Sequence, residues 1–360
     1  VFAQKEPILS EIMSVTPVLE TLFTRHFGVP PESQTELSSQ LGGSARRMIR
    51  LSGSGATAVG VLYDVREENV AFVEFSRHFR RHGLPVPEIY GADLDQNVYL
   101  EEDLGNTTLF EFQARNRSGA ELRPEAMDAY RRVAGLLPRF QVAAARDLDY
   151  DVCYPRASFD RQSIVWDLNY FKYCFLRPAC IGFNEQSLED DFGRLTDLLL
   201  EADREYFLYR DFQARNIMLT ERGPVFIDYQ GGRKGALQYD IASLLYDARA
   251  DLAPEVRHAL LDTYLDALGD HVSLDRGQFM EHFYPYVYVR ILQALGAYGY
   301  LGLIQGKSYF QRSVPYALRN LAWLMENREL AVPVPALFGV FRNMLASEKL
   351  CQLGTEGGAS

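Results

Sequence analysis

Apolar residues change their period once along this 360-residue chain, and that change limits the folds open to it. Between Thr35 and Tyr63 the runs at 48–51 and 58–63 read as short strands, broken by Gly42-Gly43-Ser44 and by Ser52-Gly53-Ser54-Gly55. Glu67 to His82 then takes up helical spacing through Phe72, Phe75 and Phe79 and stops at Gly83-Leu84-Pro85-Val86-Pro87. A further strand is expected over 97–100. Residues 35–100 thus predict strand, strand, strand, helix, strand, a small antiparallel sheet. An earlier helix is expected to open at Thr16 as N-cap, with Pro17 in its first turn, and to end near Phe27. Beyond residue 108 helical patterns dominate, as at 188–202 with Phe192, Leu195, Leu198 and Leu199 on one side. The exception is 206–230, where three apolar runs among polar turns predict a hairpin buried among helices.

Hydrophobic residues make up 47% of the chain and charged residues 24%, so it can bury a real core. Its net charge of −11 argues against a nucleic-acid binder or a partner of anionic membranes. The stretch 291–306 is too short for a bilayer and reads as a core helix, so no membrane span is expected. Cys153, Cys174, Cys180 and Cys351 form no CxxC pair and read as buried free thiols in a reducing cytosol. The first residues lack the pattern of a signal peptide. A cytoplasmic protein is expected, with residues 1–12 preceding a natural start at Met13.

The strongest chemical signal is Tyr209-Arg210-Asp211-Phe212-Gln213-Ala214-Arg215-Asn216, followed one hairpin later by Ile227-Asp228-Tyr229-Gln230. The spacing resembles a kinase catalytic loop. In that chemistry Asp211 accepts the proton of an attacking hydroxyl, with Arg210 beside it in the catalytic set. The Asn216 amide oxygen and the Asp228 carboxylate would hold magnesium against a triphosphate, a donor set that suits this hard cation. The alternative is that Asp211 and Asn216 are turn formers between strands. Two literal kinase strings read as coincidences. Asp191-Phe192-Gly193 precedes the loop and sits in a helical pattern, and Ala253-Pro254-Glu255 suits a helix start. The segment 235–246 reads as a capped helix and not as a long activation loop, which disfavours a protein kinase.

The YRDFQARN loop, the IDYQ strand end and the helix start Tyr239-Asp240-Ile241-Ala242-Ser243-Leu244-Leu245 together resemble the aminoglycoside phosphotransferase and choline kinase superfamily. Three further strings are similar to its bacterial anomeric kinases of N-acetylmuramate and N-acetylglucosamine. They are Gly42-Gly43-Ser44-Ala45-Arg46-Arg47-Met48-Ile49-Arg50, Tyr99-Leu100-Glu101-Glu102-Asp103-Leu104-Gly105 and Leu292-Gln293-Ala294-Leu295-Gly296. The resemblance spans roughly residues 35–325. It implies an α+β, protein-kinase-like bilobal fold, with a small antiparallel-sheet N-lobe and a larger, mainly helical C-lobe. Residues 1–100 would be an N-terminal extension and the nucleotide-covering lobe, 101–107 a hinge, and 108–360 the lobe with catalytic loop and acceptor site. The implied activity is ATP- and magnesium-dependent phosphorylation of a sugar, with the anomeric hydroxyl as acceptor. An aminoglycoside, a fructosamine or an amino alcohol is the alternative acceptor, and a nucleotide-binding pseudokinase the alternative class. Glu101, Glu102, Asp103 and Leu104 would meet the adenine, and the Gly42, Gly43, Ser44 backbone would cover the phosphates.

Two departures stand out. Tyr209 takes the place of the superfamily's histidine and, with Asp240, is expected to support the loop. More seriously, no lysine occurs between Lys5 and Lys172, so the phosphate-gripping lysine of kinases is absent. Arg46, Arg47 and Arg50 follow the glycine loop and a guanidinium grips phosphate bidentately, so one of them is the candidate replacement. The bland alternative is three solvated arginines. Glu74 on the following helix is a candidate partner for the arginine, or surface charge. His78 and His82 at i,i+4 suit zinc in spacing but lack a third ligand. Tyr284, Tyr286, Tyr288, Tyr298, Tyr300 and Tyr309 make an aromatic zone open to core packing or to stacking on a sugar ring.

Overall fold

The computed structural model describes residues 9–37, 46–119 and 121–354. The chain divides into two compact units that interleave in sequence: residues 1–107, 148–155 and 218–231 in the first, and the remainder in the second.

The first unit is built on helix α1 (Leu9–Phe27), strands β1 (Ser33–Leu37), β2 (Arg47–Gly53) and β3 (Ala56–Leu62), helix α2 (Arg66–Arg81), and strands β4 (Ile89–Asp93) and β5 (Val98–Glu102). The strands form one antiparallel sheet in the order β1-β2-β3-β5-β4. Strand alternation sorts the side chains to two faces. Ile49, Leu51, Ala58, Val98 and Leu100 pack against Leu19, Leu22 and Phe23 of α1. The helix lies so close that a Cβ at Gly60 would meet Leu19 Cδ1 at 2.6 Å, which explains the glycine in mid-strand. The other face carries Tyr99, whose ring stacks on Phe72 of α2 at 5.2 Å, and Phe72 in turn stacks on Tyr229 at 4.9 Å.

Two expectations are corrected here. Helix α1 begins at Leu9, so Pro17 lies inside the helix and Thr16 is not its start. Strand β4 is additional, because Pro85 and Pro87 end just before it and its Tyr90 and Gly91 carry little alternating signal. A hairpin of Ile217–Thr220 with Gly223–Phe226 is tied to this unit by Leu219 N to Thr107 O, 2.8 Å, and Phe226 N to Pro85 O, 2.8 Å.

The second unit is helical. Its central helix, Arg276–Tyr298, buries Phe279, Phe283, Tyr286, Val287, Tyr288, Ile291, Leu292 and Leu295. It continues as a π-turn, Gly299–Ile304, where a Cβ at Gly299 would fall 2.1 Å from the Cys174 carbonyl. Among the described residues, Arg276–Ile304 is long and apolar enough to cross a membrane, but 61% of its apolar window is buried within the protein, as in a core helix. Tyr284, Tyr286 and Tyr288 are core residues. The first apolar run, Tyr206–Leu208, lies outside the expected hairpin and pairs with Arg233–Gly235. Asp191-Phe192-Gly193 lies inside the helix Glu185–Leu200, where Asp191 accepts from Leu337 N at 2.8 Å, and Pro254 opens the helix Pro254–Gly269. The helix Gln238–Leu245 forms as expected but without a side-chain cap. The four cysteines are free, yet none is buried: Cys180 and Cys351 are exposed and the others half-buried. A cysteine's position on a surface turn or last helical turn overrides its general preference for the interior.

Candidate active site

In the helical unit the strand Tyr206–Leu208 delivers the chain to Tyr209, which is fully buried with its ring edge-on to Phe212 and Phe140. The Asp240 carboxylate accepts from Tyr209 N at 2.8 Å and Arg210 N at 3.0 Å, and from Gln141 Nε2 at 3.0 Å. Tyr264 OH holds Gln141 from behind at 2.7 Å. Burial pushes the Asp240 carboxyl up to about 7, and the backbone bonds from Tyr209 and Arg210 pull against that rise. One carboxylate thus clamps two consecutive amides and sets the start of the loop.

Arg210 has φ 84°, a conformation costly for a side chain of this size. Its guanidinium forms a two-pronged pair with Asp167 at 2.7 and 2.8 Å and lies over the rings of Phe159 and Tyr239. Burial would lower its pKa, but Asp167 outweighs that and raises it, so the charge is permanent. The charged end of Arg210, expected in the catalytic set, is committed to Asp167. Asp211 follows directly. Its carbonyl accepts from Gln213 N and from Asn216 Nδ2, both at 2.9 Å, and the second bond turns the amide oxygen of Asn216 away from that carbonyl. The donor set fits a hard cation: an amide oxygen whose orientation is fixed, on a loop whose carboxylate, Asp211, lies five residues earlier.

In the sheet unit, Asp228 follows the hairpin with φ 69°, again a strained value at a chemically charged residue. Its Oδ1 accepts from Gln230 Nε2 at 2.9 Å and from Arg46 Nη1 at 3.4 Å. The ring of Tyr229 is locked by Phe72, and its hydroxyl by Ser76 at 2.6 Å. Arg46 also reaches Glu68 of α2 at 2.5 Å and lies over the Tyr63 ring. Burial tends to lower the Arg46 pKa, but Asp228, Tyr99 and Glu68 raise it further.

The three candidate arginines are therefore separated by structure. Arg46 alone joins the helix carboxylate to Asp228. Arg47 pairs with the exposed Glu36 at 2.9 Å, and Arg50 grips Asp103 with two bonds at 2.7 and 2.8 Å. Glu74 pairs with Arg77 on its own helix and not with a loop arginine, so Glu68 replaces it as the partner. The helix carries Glu67, Glu68 and Glu74, and no local signal ranks them. Gly42, Gly43 and Ser44 lie outside the described residues.

Glu101 and Glu102 belong to strand β5, which ends at Glu102, so of the four residues expected at the hinge only Asp103 and Leu104 follow the strand. Glu101 is buried opposite Val59, and its Oε2 has no hydrogen-bond partner among the described residues. Burial raises its pKa to about 8, with Arg46 opposing the rise. Glu102 accepts from Arg222 and from Glu88 N at 3.3 Å. Leu104 lines a cavity of about 470 Å³ together with Asp103, Thr107, Leu219 and Arg222.

The profile described as the phosphotransferase enzyme family, APH, matches residues 42–276. A curated relative from Neisseria meningitidis serogroup B, named N-acetylmuramate/N-acetylglucosamine kinase, is 25% identical over 70% of this chain and 74% of its own length. Among solved structures, a choline kinase from Cryptosporidium parvum superposes with TM-score 0.61 at 12% identity, over 91% of this chain and 99% of that one. An amicoumacin kinase in complex with AMP-PNP, Ca2+ and Ami superposes with TM-score 0.57 at 13% identity, over 94% of this chain and 96% of that one. The fold is the α+β, protein-kinase-like one. The chain belongs to the phosphotransferase enzyme family and is a kinase that transfers a phosphoryl group to an alcohol.

Proposed function

We propose that this kinase uses ATP and magnesium to phosphorylate the anomeric hydroxyl of an amino sugar, N-acetylmuramate or N-acetylglucosamine, in the cytoplasm. The observation that carries the reading is the Asp240-clamped loop, which presents Asp211 and orients the Asn216 amide. The name of the curated relative supports the sugar. In the reaction the acceptor oxygen bonds to the γ-phosphorus, its proton passes to Asp211, and the bond from phosphorus to the β,γ-bridging oxygen breaks to leave ADP. Asn216 and Asp228 are the residues that would hold magnesium, which supplies charge neutralisation along the triphosphate. Arg46 takes the place of the missing lysine: it already bridges a helix glutamate and Asp228, the connection a phosphate-binding cation requires. Asp103 and Leu104 are the hinge residues assigned to the base.

An ADP-release assay on the purified chain tests this across N-acetylmuramate, N-acetylglucosamine, an aminoglycoside, a fructosamine and choline. Turnover is expected on the amino sugars and should require divalent cation. Turnover confined to the cationic alcohols would overturn the sugar reading while leaving the kinase.

A further inference from the structure

The helical unit carries an aromatic face on its outside. Four large hydrophobic side chains are exposed among the described residues, and three of them, Trp166 at 45%, Tyr173 at 53% and Ile304 at 53%, lie on two segments that pack together. The helix Arg161–Phe171 continues as a π-turn, Lys172–Leu176, as the central helix continues into Gly299–Ile304. The two runs meet backbone to backbone: a Cβ at Gly296 would lie 3.0 Å from Phe171 N, and one at Gly299 2.1 Å from the Cys174 carbonyl oxygen. Trp166, Tyr170 and Tyr173 follow one another at i, i+4 and i+7, so they share one side of their helix. Half-buried Tyr170 meets Tyr300 of the other run with ring centroids 6.4 Å apart. The solvent side of a helix is ordinarily polar, and π-turns gather at functional positions, so two of them side by side beneath exposed rings mark a surface built for contact.

Charge narrows the occupant. The chain carries −11, so one copy repels another in general. This face is different: from Arg156 to Glu189, which pairs with Lys172, four cations are matched by four carboxylates, and residues 291–306 contain no charged side chain. Each of the four cations is in an ion pair. Two of them lie over the exposed rings themselves, Arg156 at 5.7 Å from the Trp166 centroid and Lys172 at 4.4 Å from that of Tyr173. A face without net charge selects neither an anionic membrane nor a charged peptide, whereas charges of both signs around apolar rings are complementary to the same face turned by a two-fold axis. Tyr, Trp and Arg are also the residues that anchor interfaces from which water is excluded. We infer that this face joins two copies of the chain in a symmetric dimer, with Trp166, Tyr173 and Ile304 at its centre. The inference is independent of which acceptor the kinase uses.

Sedimentation velocity of the full chain across a concentration series tests it. The expected species is a dimer of twice the chain mass that dissociates on dilution. Tyr173→Glu and Ile304→Glu place a charge where the monomer is half exposed and tolerates it. Each should raise the dissociation constant at least about tenfold, because the dimer would bury that charge without a partner. A chain that stays monomeric at concentrations on the order of 100 µM overturns the inference. So does a dimer whose dissociation constant is unchanged in both variants, which puts the interface elsewhere. Hydroxyl-radical oxidation of the wild type needs no variant to fold: Trp166 and Tyr173 should become protected as the dimer forms, and unchanged oxidation overturns the assignment. Flotation of the chain with neutral phosphatidylcholine vesicles, while it stays monomeric in solution, would give the face to lipid and overturn the dimer.

Discussion

Three arginines of the sheet unit and Arg290 of the helical unit are held in opposite ways. Arg46, Arg47 and Arg50 each touch a carboxylate, and Arg46 touches two. Arg290 touches a hydroxyl and an amide oxygen. A cation already paired can exchange its partner for phosphate and release it again, since the carboxylates keep its charge solvated between turnovers. Arg210 is the paired case within the helical unit: its carboxylate, Asp167, is nearly fully buried.

The largest effect that would test this division is at the loop that Arg210 positions. Asp211→Asn should reduce turnover by about 10²- to 10⁴-fold while Mg-ATP binding, read by titration, stays close to wild type. Near-normal turnover would mean that the loop has been assigned wrongly. Next comes Asp167→Asn, which strands the buried Arg210 charge and should cost about 3–5 kcal/mol in denaturant unfolding, as breaking a buried pair does. Should the loss prove below 1 kcal/mol, Arg210 is not a structural cation.

Arg46→Ala should then lower kcat/KM for ATP by about ten- to a hundredfold, whereas Arg47→Ala, whose partner Glu36 is exposed, should stay within about twofold. Equal effects of the two would erase the distinction drawn from their partners. The last effect concerns Glu101. Its raised pKa of about 8 means that the native state keeps a proton the unfolded chain has lost, so its contribution turns increasingly unfavourable as pH climbs through the window between the ordinary carboxylate range and pH 8. Glu101→Gln should therefore gain stability relative to wild type from pH 5 to 8, by at most about 1.4 kcal/mol per pH unit. Parallel melting curves across that range would show that Glu101 does not titrate there.

Much of the fold was legible because the signals were local. Phe72, Phe75 and Phe79 mark one face of α2 at helical spacing, and glycine-rich turns bracket β2 and β3. The strand at Ile89–Asp93 escaped because its hydrogen bonds come from β5 and its own residues alternate weakly. The pairing of Arg210 is not legible in the sequence, since its partner, Asp167, lies 43 residues earlier on another helix. Glu68 was hidden among equivalent glutamates on α2.

The sequence by itself determined the reaction type, because the residues proposed to handle the proton and the cation are packed into an eight-residue loop and a short strand end, where order along the chain already carries the chemistry. Only the tertiary structure decided which charges are paired. Arg46 meets Asp228 across 182 residues, and Arg290 meets Ser243 across 47. Electrostatic interaction depends on distance and burial in space, and neither can be read from separation along the chain.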